Sequence, residues 1–296
     1  MPEFGIRSPF TQCPMQLLME DDAGLISTGT GFFYERNDNS YLITNWHNVS
    51  GKDSTTGAPL TAGRVPTHLK AKFITYIDER RFTAVAADVL LYNEDRSAPL
   101  WFEHPQLGSR CDVVALPLAR PVEGPPQFHH FANRITRIRI PVRPGGPVFI
   151  VGFPHNLAVG FGIPLWKSGF IASEPHFDIT WGGRVAYLAG MEGGITIPAF
   201  FLDALTRQGM SGSPVFASYT GNWDMTDPYR DVDPSAPDFH QRDDIALGEN
   251  RMEFVGVYSG RVPSNEGEAA LGLCWKVSAI DAICDHRVVG RHPHFV

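Results

Sequence analysis

Gln208-Gly209-Met210-Ser211-Gly212-Ser213-Pro214 sets a serine at the centre of a short turn, and Pro214-Val215-Phe216 runs on from it as an apolar strand. Glycines on both sides of Ser211 permit a tight turn, because backbone can approach another group with no Cβ in the way. A serine that attacks a carbonyl needs such an exposed hydroxyl, together with two backbone N–H groups aimed where the oxyanion forms. The N–H groups of Gly209 and Ser211 are the expected donors. The plain alternative is an ordinary Gly/Ser loop between two strands.

Outward from this turn the chain reads as short strands. Gly29 to Tyr34 and Tyr41-Leu42-Ile43-Thr44 flank the turn residues Asn37-Asp38-Asn39, the pattern of a hairpin. Leu69 to Tyr76, Phe82 to Tyr92 and Asp112 to Leu118 follow, enough for one small barrel. Pro121 to Pro126 reads as a linker. The second half restarts at Pro147 to Pro154 and continues through Lys167 to Ser173, Val185 to Leu188, Phe254 to Tyr258 and Leu271 to Val277. Val277 to His286 places Ile280 and Ile283 on one side and reads as a short terminal helix. The 29 Gly and 24 Pro of the 296 residues suit many strands and few long helices.

Two further segments carry chemistry. Thr44-Asn45-Trp46-His47-Asn48-Val49 puts a histidine just past an apolar strand, where a rigid element can hold an imidazole toward a cleft. A base beside a serine makes its hydroxyl nucleophilic. The other histidines, among them His68, His104, His129, His130, His155 and His176, lie in loop-like, Pro-rich or charged surroundings. Cys111-Asp112-Val113-Val114-Ala115-Leu116 puts a carboxylate at the mouth of a buried strand, and accepting the second ring N–H of His47 would satisfy it there. Asp88, ahead of Val89-Leu90-Leu91, is the rival for this role; Asp112 is preferred.

The three segments resemble the His, Asp and Ser motifs of the trypsin-like (chymotrypsin-fold) serine peptidases, in that family's chain order. The Gly-x-Ser-Gly-Ser-Pro form is similar to that of bacterial glutamyl endopeptidases and related trypsin-like members. The resemblance spans roughly Gly29 to Val277 and implies an all-β fold of two six-stranded antiparallel β-barrels with a short C-terminal helix. It implies an N-terminal barrel over 10–120 carrying His47 and Asp112, and a linker over 121–146. A C-terminal barrel over 147–277 then carries Ser211, and helix and tail occupy 278–296. The implied activity is endopeptidase, with catalytic His47, Asp112 and Ser211, oxyanion donors at Gly209 and Ser211, and a protein or peptide as substrate.

The residue before the serine departs from the family's digestive members, which keep an aspartate there to pair with a newly cleaved N-terminal amine. Met210 cannot form that pair, so activation by N-terminal cleavage is not expected. By the family pattern the specificity pocket is walled by Leu205 and Thr206 before the nucleophile and by Tyr258, Ser259, Gly260 and Arg261. No acid stands where tryptic enzymes keep theirs, which points to neutral or acidic substrate residues. The Val257 to Gly260 backbone is expected to pair with substrate as an added strand.

Asn222 to Asn250 holds eight acids against two bases, and so carries most of the net charge of −7. It reads as a solvated insertion; calcium at Asp231 and Asp233 lacks a full ligand pattern. With no basic run elsewhere, nucleic acid is not an expected partner. Nor is a membrane, since nowhere do about 18 apolar residues run together. Cys13, Cys111, Cys274 and Cys284 are far apart in sequence, which argues against zinc and a disulfide framework. Free thiols and a cytoplasmic setting are favoured. No metal and no cofactor is expected, and nothing sets the oligomeric state. The rival functions are a catalytically silent binding module on the same fold and an α/β-hydrolase esterase. The esterase wants Ser, Asp, His in that order, and here His comes first.

Overall fold

The computed structural model describes residues 8–76, 82–118, 130–135, 138–180, 195–230, 232–248, 250–261 and 271–294. The first half supplies β1 (Pro14–Asp21), β2 (Gly24–Arg36), β3 (Asn39–Thr44), the short helix α1 (Trp46–Ser50), β4 (His68–Tyr76), β5 (Phe82–Leu90), β6 (Phe102–Glu103) and β7 (Val114–Pro117). The second supplies β8 (Pro147–Gly152), β9 (Leu165–Ile171), β10 (Ile179–Thr180), β11 (Thr196–Ile197), β12 (Ala199–Asp203) and β13 (Pro214–Thr220). It continues with β14 (Trp223–Asp224), β15 (Ile245–Ala246), β16 (Asn250–Arg261), β17 (Leu271–Lys276), α2 (Val277–His286) and β18 (Val288–Val289).

The six strands β12-β17-β16-β13-β8-β9 close into a barrel, as expected of the second half. In the first half eight strands run in the order β18-β6-β7-β3-β2-β1-β4-β5, and the outermost at one end, β18, is a two-residue strand contributed from beyond α2. The β2–β3 turn is built as the sequence suggests: Asn37 and Asp38 both take left-handed φ, 49° and 58°, the conformation that matches the twist of the two strands.

Alternation along the strands sorts the side chains into three cores. Leu42 of β3 and Val114 and Leu116 of β7 face inward among Leu17, Leu69 and Trp101. Their neighbours Tyr41, Ile43, Val113 and Ala115 face the other way, against Phe216, Val257 and Trp275 of the second barrel. Val215, Ala217 and Cys274 fill that barrel's own interior. Strands β3 and β7 are therefore buried on both faces, and the ends of these rigid strands bear His47 and Asp112.

Helix α2 closes the seam. Its Ile280 and Ile283 are buried as the periodicity requires. Tyr34 of β2 donates to Asp281 at 2.6 Å, and Arg36 engages Asp285 with two hydrogen bonds of 2.8 Å. All four cysteines are free and buried, and burial pushes their thiols up.

Three sequence readings need revision. Strand β1 escaped notice because Met15-Gln16-Leu17-Leu18-Met19 shows neither alternation nor β-branching. It lies between β2 and β4, and five of these five residues are buried. Strand β12 was missed likewise. The stretch 222–250 is not simply a solvated loop, since β14 pairs with β15 and Asp224, fully buried, anchors the segment. Asp224 accepts from Thr226, from the Asp227 N–H, from Arg230 at 3.1 Å and from Arg242 at 2.9 Å. Val185 to Leu188, Pro121 to Pro126 and Asp231 lie outside the described residues.

Candidate active site

His47 stands just past β3, in the first turn of α1. Gly51 in left-handed conformation ends this helix, donating its N–H to His47 O at 3.0 Å. Asp112 grips the histidine twice: Oδ2 lies 2.7 Å from His47 Nδ1, and Oδ1 accepts the His47 backbone N–H at 2.9 Å. Asn45, ahead of the helix, donates from its amide to Asp112 O at 2.6 Å. Asp112 is 4% exposed, so these donors replace the water it has lost. Burial of the His47 ring works against its charged form, but the Asp112 carboxylate outweighs this by charge and hydrogen bond. The imidazole pKa is therefore raised above its ordinary value. Asp88, the rival acid, is exposed on β5 opposite Lys70.

The Ser211 turn is held from both sheets. Thr30 donates its backbone N–H to Ser211 O at 2.9 Å and its hydroxyl to Gly209 O at 2.8 Å. Asn48, next to His47, donates to Ser211 O at 3.3 Å. Gly212 donates to Tyr258 O at 2.9 Å and Ser213 to Met210 O at 3.0 Å. Gly209 and Gly212 have φ of 92° and 85°. A Cβ at Gly209 would lie 2.4 Å from Phe153 O and one at Gly212 2.0 Å from Thr30 O, so both glycines are obligatory. Met210 is fully buried in the second barrel's core, where an acid would have to find a partner. Among the described residues no hydrogen bond joins Ser211 Oγ to the His47 ring, and none engages the N–H of Gly209 or Ser211. Resting sites often show such geometry before substrate arrives.

A cavity of about 360 Å³ opens beside the serine, lined by Thr206, Arg207, Gln208, Ser211, Tyr258 and Gly260. Thr206 and Tyr258, both buried, share a short hydroxyl–hydroxyl hydrogen bond. Arg207 donates to Thr206 O at 3.1 Å. The expected pocket residues thus divide. Thr206, Tyr258 and Gly260 line the cavity, whereas Leu205 turns its side chain outward, 60% exposed. Ser259 turns its hydroxyl to Asp112 Oδ2 instead. The backbone of Arg261 pairs with Gly272, and its side chain lies outside the described residues.

Sequence reasoning missed Thr30, Asn45, Asn48 and Gln208. Thr30 carried a signal in hindsight, a polar residue between Gly29 and Gly31 inside an apolar strand, where small neighbours mark close approach of another backbone.

Residues 29–223 match the family model of the trypsin-like peptidase domain. No curated protein matches the chain. Among solved structures it is similar to the Rv3671c protease from M. tuberculosis in its active form, at 15% identity and a TM-score of 0.44, covering 98% of this chain and 92% of that one. It is similar also to a serine endoprotease from Yersinia pestis, at 15% identity and a TM-score of 0.41, covering 95% of this chain and 67% of the other. With the family model matched across well over half its length, the chain belongs to the trypsin-like peptidase domain family and is a serine protease acting on proteins or peptides.

Proposed function

We propose that the chain is an endopeptidase that hydrolyses peptide bonds through an acyl-enzyme on Ser211, with His47 as base and Asp112 as its orienting acid. The observation that carries this reading is the double grip of Asp112 on His47, which occupies Nδ1 and leaves Nε2 as the ring nitrogen open to a proton. His47 Nε2 takes the Ser211 hydroxyl proton as Oγ attacks the scissile carbonyl, and the carbonyl π electrons move onto oxygen. The N–H groups of Gly209 and Ser211 bind that oxyanion. The imidazolium gives its proton to the leaving amine as the C–N bond breaks. Water then repeats the sequence on the ester, with His47 again as base and Ser211 restored.

The cavity beside Ser211 receives the substrate side chain before the cut bond. Three hydroxyls, an amide and a guanidinium line it, with no carboxylate among the lining residues. This favours neutral and acidic substrate residues over Lys or Arg. Digestion of casein and of a peptide library by wild type and by Ser211→Ala tests the assignment. The variant is expected to be inactive and to melt with wild type; cleavage at the wild-type rate would refute it.

A further inference from the structure

Gln208 O accepts a hydrogen bond from His155 N–H at 2.7 Å. The peptide that follows Gln208 is trans, so its C=O and N–H point in opposite directions. The bond from His155 therefore sets where the Gly209 N–H points. Gly209 packs directly on the same turn, with Phe153 O and the N atoms of His155 and Asn156 crowding the place of its absent side chain.

That turn is an improbable one. His155 and Asn156 are consecutive non-glycine residues in left-handed conformation, with φ of 51° and 62°. Such residues persist where surroundings over-determine them. Gln16, the third residue of β1 in the other sheet and 8% exposed, supplies the constraint. Its Nε2 donates to Asn156 O at 3.0 Å and to Asn156 Oδ1 at 2.8 Å. One side chain of the first sheet thus holds both oxygens of the residue that completes the turn.

We propose that Gln16 and Asn156 are positioning residues for catalysis: by clamping the left-handed turn they aim His155 N–H at Gln208 O and so aim the Gly209 N–H at the oxyanion. The proposal rests on the reading of Ser211 and Gly209 given above. Neither residue lines the cavity beside Ser211. Loosening the clamp lets the Gly209 peptide rotate, and a misaimed donor slows the step in which negative charge develops while leaving ground-state binding alone.

Phosphonylation by an alkyl fluorophosphonate tests this without knowledge of the natural substrate. In that reaction the Ser211 Oγ–P bond forms, the P–F bond breaks, fluoride leaves, and the hydroxyl proton passes to His47. For the full chain, Gln16→Met and Asn156→Ala are expected to lower the maximal labelling rate about tenfold, a fraction of what a whole oxyanion donor is worth. The half-saturating probe concentration is expected to stay within about twofold, and the midpoint of the pH profile is expected not to move, because His47 and Asp112 are untouched. Asn156→Gly takes the left-handed turn at no steric cost and keeps the backbone acceptor, so its loss is expected to be the smaller. If Gln16→Met fails to fold, the Asn156→Ala against Asn156→Gly comparison carries the test. Labelling of both Gln16→Met and Asn156→Ala at the wild-type rate, with Ser211→Ala unlabelled, overturns the positioning role alone. Labelling of Ser211→Ala as fast as wild type overturns the site reading and this proposal with it.

Discussion

Ser259 donates a hydrogen bond to the same carboxylate oxygen of Asp112 that meets His47 Nδ1. The acid is thereby shared between a strand of the second barrel and the helix bearing His47, so the two halves of the molecule meet at one atom. Partners of this kind fix the orientation of a working side chain and tune its proton affinity. Ser259→Ala is expected to lower kcat about tenfold with KM little changed. It is also expected to move the alkaline shift of the activity profile further upward, because a carboxylate relieved of one donor attracts the His47 proton more strongly. Steady-state kinetics across pH check both; an unmoved midpoint would reduce Ser259 to a packing residue.

His47 itself sets the pH dependence. The base must be neutral to accept a proton, and its pKa is raised, so activity is expected to rise with pH through a midpoint above the ordinary histidine value of about 6.5. The same shift favours protonated His47 in the folded state. It adds stability that is fully present below the unfolded pKa and is lost as pH rises through the folded one. Asp112→Asn removes the charge and presents the wrong partner to Nδ1. It is expected to lower kcat by roughly three to four orders of magnitude and to bring the midpoint down.

The cavity chemistry sets the specificity. Reversing the charge at its lip with Arg207→Glu is expected to lower kcat/KM for a substrate with Glu before the cut bond by about tenfold, and to raise it for Lys. Mass-spectrometric profiling of cleavage products decides this. A dominant Lys/Arg signature for the wild type would contradict the cavity reading.

The acidic segment 222–250 enters and leaves the barrel at the far end of β13 from Ser211. That strand runs seven residues, about 20 Å at the usual rise. No described residue of the segment lines the cavity. The segment follows Ser211 closely in sequence, but an extended strand separates what the numbering places together. Asp224→Ala is expected to open the segment to limited proteolysis and leave small-peptide turnover within about twofold. The Thr226 hydroxyl, the backbone N–H groups of Thr226 and Asp227 and the charge of Arg230 hold the Asp224 carboxyl well below the usual carboxylate range. Its contribution to stability is therefore present above the ordinary carboxylate pKa and is lost as pH falls through the lowered one. A marked fall in peptide turnover would contradict this separation of the segment from the site.

What the sequence made legible was whatever one short stretch decides. The Ser211 turn needs its own glycines, the Asn37-Asp38 hairpin its own turn residues, and α2 its own apolar stripe, and each is written locally. Asp112 and Asp88 each stand ahead of an apolar run, and it is the fold that brings Asp112 to His47 and leaves Asp88 opposite Lys70. The contacts that hold the site were not legible, because they join residues far apart in the chain: Thr30 to Gly209, Asn48 to Ser211, Ser259 to Asp112. A serine two residues past Val257 reads as pocket wall until the fold turns its hydroxyl toward the acid. Leu205 failed similarly, since adjacency to Thr206 says nothing about which of two alternating side chains faces the cavity.

The most direct test of the account is intact-mass analysis of the full chain after treatment with a fluorophosphonate, followed by peptide mapping. One adduct per chain is expected, located on Ser211, formed without proteolytic trimming because buried Met210 offers no partner to a new N-terminal amine. It is expected to vanish in Ser211→Ala and to slow by orders of magnitude in His47→Ala. An unlabelled wild-type chain, or an adduct mapped to any other residue, would contradict the account.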